Sequence, residues 1–240
     1  MIAHRPRVRH TVAVDEQVGT LGASPLFAAL DDEARDALRR TMDEVRLPRG
    51  ATLFGEGDPG DRLYVVTEGK IKLGRTAADG RENLLAVMGP GEMFGELSLF
   101  DPGPRTATAT AITDATLSGL GHDDLQPLLT QRPEVAGRLL AALARRLRRT
   151  NEAMADLVFS DVPGRVAKAL LDLSTRFGVP VDDGLRVTHD LTQEELAQLV
   201  GASRETVNKA LADFAARGFL RLEGRAVVIL DVDRLTRRAG

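Results

Sequence analysis

Between Leu47 and about Leu120 the chain carries short apolar runs: LYVV from Leu63, IKLG from Ile71, LLAVM from Leu84 and ATLSGL from Ala115. Clusters of Gly, Pro and Asp separate them, such as GEGDPGD, AADG, GPGE and FDPGP. Many short runs divided by turn residues predict a β-rich domain of the sandwich, barrel or jelly-roll kind. Ahead of it, Asp31 to Val45 has the period of a short amphipathic helix with acids in its first turn. Behind it, Pro133 opens a helical stretch running to about Phe159, with no Gly after Gly137. Leu140, Leu143, Leu147, Met154 and Leu157 fall on a 3-4 spacing there, and polar Thr150 occupies the seam position between Leu147 and Met154. A stripe of that length predicts a parallel coiled-coil dimer helix; a helix packed on its own domain is the alternative. SDVPGR, from Ser160 to Arg165, then breaks the helix, and Asp161–Gly164 reads as a hinge.

The last third predicts a helix over Val166 to Phe177, a Gly/Pro/Asp loop over Gly178 to Gly184, two helices, and two strands about Glu223-Gly224. Thr192 with Glu195 three residues on is a capping box that opens a helix ending at Val200. Gly201 terminates it and Ser203 caps a second helix, from Arg204 to about Arg217. Ala197, four residues before Gly201, lets two helices approach, and Leu196, Val200, Val207 and Leu211 supply a shared core. This is helix-turn-helix patterning, with Arg204, Glu205, Asn208 and Lys209 on the face where a recognition helix meets base edges. Arg204 and Lys209 suit guanine and Glu205 suits the cytosine amine, while Thr192, Gln193 and Ser203 stand where helix starts meet phosphates. A helical hairpin with a merely solvated charged face is the competing reading.

Composition narrows the classes. The chain has 240 residues, 43% hydrophobic and 28% charged, enough for one large domain or two modest ones. It has no Cys, which excludes disulfides, iron–sulfur clusters and thiolate chemistry. No apolar run approaches the ~18 residues of a membrane span, and HRPRVRH near the start lacks the apolar stretch of a secretory signal, so a cytoplasmic protein is expected. His4, His10, His122 and His189 show no metal-ligand spacing, and no nucleophile–base pair suggests an enzyme. With no Trp and 4% aromatic residues, a base-stacking platform for single strands is disfavoured. The net charge of −3 looks wrong for a duplex binder until it is divided. Residues 1–14 carry +3, 15–125 carry −9, 126–160 carry +3 and 161–240 are neutral.

One further stretch is rich in candidate chemistry, GEMFGELSLFDPGPRTATATA from Gly91 to Ala111. Gly95, Glu96, Leu97 and Ser98 predict a tight turn into a short helix. Glu96 among Phe94, Leu97, Leu99 and Phe100 is an acid that needs donors, which a sugar hydroxyl would supply. Arg105 has the fork that holds a phosphate, with the Thr106 hydroxyl beside it. An internal Glu96–Arg105 ion pair closing the loop is the other reading.

The order of these parts resembles the cyclic-AMP receptor protein (Crp/Fnr) family of transcription regulators. The resemblance rests on FGELSLFDPGPRTATA, QEELAQLVGASRETVNKAL and the intervening RRLRRTNEAMADLVFSDVPGRVAKALLDLS, which is similar to the actinobacterial cAMP-responsive members. It covers the chain from about Leu21 to the end. It implies an α+β protein: a tail at 1–20, a cyclic-nucleotide-binding β-roll (jelly roll) at 21–131, a dimerisation helix at 132–160 and a winged helix-turn-helix domain at 161–240. By motif match, Glu96 would take the ribose 2′-hydroxyl, and Arg105 and Thr106, with the Gly95 turn, the cyclic phosphate. Thr150 and Asn151 match the pair that reaches adenine, one from each subunit. The implied partners are 3′,5′-cyclic AMP, a palindromic double-stranded operator with TGTGA-like half-sites, a second copy of the chain and RNA polymerase. Lys209 stands where family members have Arg, and Asn151 where enteric relatives have Ser. Cyclic GMP or no effector, and a nucleotide-regulated module without DNA binding, are the alternatives carried forward.

Overall fold

The computed structural model describes residues 21–240 except 23, 26, 29, 78 and 102; the expected tail, with His4 and His10, lies outside the described residues. Two compact units are defined. The first comprises the stretch up to residue 72 together with 88–143; the second comprises 73–87 and 144–240.

In the first unit α1 (Asp32–Thr41) is capped by Asp31, whose carboxylate accepts from the Ala34 N–H at 2.9 Å. Asp32 and Glu33 in the first turn and Arg39 and Arg40 in the last complement the helix dipole. The helix stops short of the expected Val45. Asp43–Leu47 is instead strand β1, paired with Ala115–Gly121 (β8) from Asp43↔Gly119 to Leu47↔Ala115. Sheet pairing claims residues whose local period also suited a helix. The remaining strands are β2 (Thr52–Phe54), β3 (Arg62–Glu68), β6 (Met93–Phe94) and β7 (Thr108–Ala111), with the four-residue α2 (Leu97–Phe100) between β6 and β7, and β4 (Ile71–Thr76) and β5 (Glu82–Met88), which fall largely in the second unit's segment 73–87. They form two four-stranded sheets, ordered β1-β8-β3-β6 and β2-β7-β4-β5. The short apolar runs read in the sequence are thus strands. Helix α3 (His122–Gln131), which the apolar pattern does not announce, follows β8.

Helix α4 (Pro133–Phe159) is 27 residues long, about 40 Å at the usual rise. Its Val135 and Leu139 are buried in the first unit's core with Phe27, Leu38, Leu63, Val65 and Leu120. Beyond that anchor its apolar row is uncovered: Leu147 is 61% and Met154 63% exposed, Leu140 and Leu157 are also exposed, and Leu143 is half-buried.

In the second unit, α5 (Val162–Phe177) begins earlier than expected, because Asp161 caps it through the Gly164 N–H at 2.9 Å and Pro163 suits a first turn. The helical break therefore shrinks from SDVPGR to Ser160–Asp161. The expected Gly178–Gly184 loop is also corrected, to a hairpin of β9 (Gly178–Val181) and β10 (Gly184–Thr188). Pro180 fits there because β9 is the edge of the sheet β11-β12-β10-β9. Helices α6 (Gln193–Val200) and α7 (Arg204–Ala216) precede the wing strands β11 (Leu220–Glu223) and β12 (Ala226–Ile229), and α8 (Val232–Ala239) closes the chain.

Candidate nucleotide and nucleic-acid sites

In the first unit, the segment before β7 is stitched to the turn before β3. Pro59 and Pro104 form a β-bridge, the Arg105 N–H donates to the Asp58 carbonyl at 2.8 Å, and the Gly57 N–H donates to the Arg105 carbonyl at 2.8 Å. With its backbone so held, the Arg105 side chain turns inward and is 4% exposed. Its Nη1 donates to the carbonyls of Arg62 (2.8 Å) and Gly95 (2.9 Å). The guanidinium carbon sits 4.2 Å from the Phe54 ring centroid and 5.8 Å from that of Tyr64. Those rings cluster with Phe94 at centroid spacings of 5.7–6.1 Å. Arg105 makes no ion pair among the described residues, and its Nε is buried without a hydrogen-bond partner. Burial is the main reason its pKa is lowered, against the smaller opposing influence of Tyr64 and of nearby acids.

Two glycines make room for this cation. At Gly95 (φ +77°) a Cβ would fall 2.8 Å from Arg105 Nη1, and at Gly60 a Cβ would fall 2.3 Å from Ser98 Oγ and 3.1 Å from Arg105 Nε. Glu96 is 1% exposed beside this pair and Ser98 is buried, while Leu97 and Thr106 face solvent. The fold thus brings Gly95, Glu96 and Ser98 to the buried Arg105 guanidinium, with Leu97 and Thr106 beside them in the chain and facing solvent. Thr150 and Asn151 lie on α4 in the other unit, both exposed, with the Thr150 hydroxyl donating to the Arg146 carbonyl at 3.1 Å. Sequence reasoning missed Phe54 and Tyr64, the aromatic seat of Arg105; that Tyr64 is the chain's one tyrosine was the available signal.

In the second unit, the capping box at α6 is complete: Thr192 Oγ1 accepts from the Glu195 N–H at 3.1 Å and Glu195 Oε2 accepts from the Thr192 N–H at 2.8 Å. Gly201 ends α6 in the left-handed conformation (φ 63°), and Ser203 caps α7 through the Thr206 N–H at 3.2 Å. Leu196, Ala197, Val200, Val207 and Leu211 are buried between the helices. Thr192→Ala is therefore expected to cost about 1 kcal/mol of domain stability, read as a lower urea midpoint with unchanged m-value.

Arg204, Glu205 and Lys209 are exposed at the start of α7. Asn208 is half-buried and donates through Nδ2 to Gln193 Oε1 at 3.0 Å, so it ties α7 to the start of α6. Arg165 was not singled out from sequence. Its Nε and Nη2 donate to the carbonyls of Val200 (2.9 Å) and Gly201 (3.2 Å), and its Nη1 to that of Ser160 (2.7 Å). One guanidinium thus caps α6 and fixes the break after α4 to the helix-turn-helix. Leu157 approaches the same turn, its Cδ2 standing 2.9 Å from where a Gly201 Cβ would lie.

A β-domain with a caged cation and a winged helix-turn-helix in one chain define a nucleotide-sensing DNA-binding regulator. Comparison agrees: residues 44–132 match the cyclic nucleotide-binding domain family and residues 164–238 the Crp-like helix-turn-helix domain. The chain is 59% identical over 219 residues to the CRP-like cAMP-activated global transcriptional regulator of Mycobacterium tuberculosis, covering 91% of this chain and 98% of that one. It is 41% identical to the cyclic AMP receptor protein of Thermus thermophilus, over 83% of this chain and 89% of that one. Among solved structures, the c-di-GMP-responsive global regulator CLP of Xanthomonas campestris superposes with a TM-score of 0.71 at 29% identity, over 83% of this chain and 99% of that one. The chain belongs to the Crp family of transcription regulators, with a cyclic nucleotide-binding domain joined by a long helix to a helix-turn-helix domain. No described helix is long and apolar enough to cross a membrane.

Proposed function

We propose that this chain is a non-enzymatic, homodimeric regulator whose binding to a palindromic operator is modulated by 3′,5′-cyclic AMP. The observation that carries the reading is Arg105: a buried guanidinium with a donor, Nε, left unbonded, in the segment that matches the family's phosphate motif. A cyclic phosphate supplies the missing acceptor and the countercharge together. Glu96 then takes the ribose 2′-hydroxyl, Thr106 adds a hydroxyl to the phosphate, and Thr150 and Asn151 serve adenine. The exposed row on α4 is the dimer seam, which sets two recognition helices about 34 Å apart on successive major grooves. Arg204, Glu205 and Lys209 read bases, while Gln193, held by Asn208, and Thr192 and Ser203 address phosphates. The half-sites are TGTGA-like, and Lys209, a single-point donor rather than a fork, relaxes readout at one base pair. RNA polymerase is the downstream partner, and the protein works in the cytoplasm.

If the ligand gates DNA binding, linkage is reciprocal, and operator DNA must tighten cAMP binding by the factor that cAMP tightens operator binding. Titration calorimetry with and without operator is expected to show a factor of about 5–150, the usual range of coupling. Identical cAMP affinities overturn gating. The second reading, the same architecture answering another nucleotide, is favoured by the c-di-GMP-responsive neighbour. Parallel titrations with cyclic GMP and cyclic di-GMP decide it, since cAMP must bind tightest if the first reading holds.

A further inference from the structure

The second unit holds a feature that neither cAMP nor operator readout uses: an open hollow of about 230 Å³ lined by Arg217, Phe219, Arg234, Arg237 and Arg238. Arg217 is the C-cap of α7, and the other three arginines belong to α8. The Phe219 ring stacks on buried Phe214 at 5.9 Å, and the Arg234 guanidinium lies 5.9 Å from its centroid. Four guanidiniums around one small hollow repel one another unless oxyanions stand between them. Three have a carboxylate on one edge: Asp213 at 2.9 Å from Arg217, Asp231 at 3.2 Å from Arg234 and Asp161 at 2.6 Å from Arg238. Arg237 has no ion-pair partner among the described residues. Each guanidinium carries five N–H donors, so a single carboxylate on three of the four leaves most of them unused.

We propose that this hollow binds a diphosphate group, as inorganic pyrophosphate or as the diphosphate of a nucleotide. A diphosphate has several oxygens and more than one charge, so it can bond two or three guanidiniums at once, which a chloride or a single carboxylate cannot. The hollow is below the roughly 300–1,000 Å³ of pockets that enclose a whole small molecule, so it fits the anionic part and leaves any nucleoside outside. It does not belong to the base-reading face. Arg217 follows Arg204 by the whole length of α7, about 20 Å along the helix.

The test is calorimetric titration of the full-length dimer with pyrophosphate and, separately, with ADP, each against sodium chloride of equal ionic strength. Saturable binding is expected, weakened at least tenfold in the Arg217→Ala/Arg237→Ala double variant, with cAMP affinity unchanged. Both residues are exposed, and Arg237 lacks an ion-pair partner among the described residues. ADP binding tighter than pyrophosphate identifies a nucleotide as the source, and equal affinities identify free diphosphate. Arginine Nε–H resonances of the unaltered protein give a second readout that needs no variant, with at most four signals moving on titration. A response matched by sodium chloride, or unchanged affinity in the double variant, overturns the site.

Discussion

Arg105→Leu is expected to lower cAMP affinity by about 100-fold or more and to leave the protein folded. The loss follows from the number of bonds at stake. A cyclic phosphate on Arg105 gains charge-assisted hydrogen bonds of roughly 1.5–3 kcal/mol each, and every 1.4 kcal/mol is tenfold in affinity. The cost to the fold is smaller because two effects oppose. Leucine deprives the carbonyls of Arg62 and Gly95 of the donor they share, a loss of about 1–3 kcal/mol for each acceptor left buried and unbonded. Against that, the substitution removes a cation that burial disfavours strongly enough to lower its pKa. It also keeps an apolar group on the Phe54 and Tyr64 rings. The melting temperature is thus expected to fall by a few degrees while calorimetry shows cAMP binding nearly abolished. Arg105→Lys separates charge from geometry: a point charge keeps the attraction and loses the fork, so its affinity is expected between the two. Normal cAMP affinity in Arg105→Leu would place the nucleotide elsewhere.

The same residue shows how far sequence reaches. FGELSLFDPGPRTATA places Glu96 and Arg105 in one stretch, and their spacing alone leaves both an internal ion pair and a ligand site open. What surrounds Arg105 is tertiary. The Pro59–Pro104 bridge, the carbonyls of Arg62 and Gly95 and the Phe54 and Tyr64 rings come from strands β2, β3 and β6 and the turns beside them, which no local pattern brings to Arg105. The helix-turn-helix was legible for the opposite reason. Its signals, Thr192 with Glu195, Gly201 and Ser203, act within three or four residues, and each appears in the structure as the bond it implied. Local signals failed where a distant strand competed for the same residues. Asp43–Leu47 suits a helix until β8 pairs with it, and Gly178–Gly184 reads as a loop until β10 finds β12. Arg165 was passed over and the half-buried tie of Asn208 to Gln193 went unseen, because an exposed-looking polar side chain gives no hint that its partner lies on another helix.

The second large effect is expected at the seam. Leu147→Glu/Met154→Glu should convert the protein to a monomer in sedimentation or light scattering and weaken operator binding by about 100-fold or more. In a single chain these two side chains are more than half exposed, on a helix anchored at its start by Val135 and Leu139. An apolar row of this length left to water is unfavourable, and burying each side chain against a second copy contributes about 1.5–3 kcal/mol. Glutamates at facing seam positions replace that gain with like charges in close contact, and nothing in α4 itself opposes the change, since both residues stand on an exposed helix face of good helix formers. Operator affinity falls because the dimer turns the second half-site contact into an intramolecular event, and avidity of 10²–10⁴ disappears with the linkage. The neutral charge of residues 161–240 makes the loss steeper, since a single DNA domain has little non-specific attraction to fall back on. Far-UV circular dichroism separates dissociation from unfolding: helix content is expected to change little while mass halves. If the unaltered protein is already a monomer at micromolar concentration, or if the double variant stays dimeric, the row on α4 is not the seam.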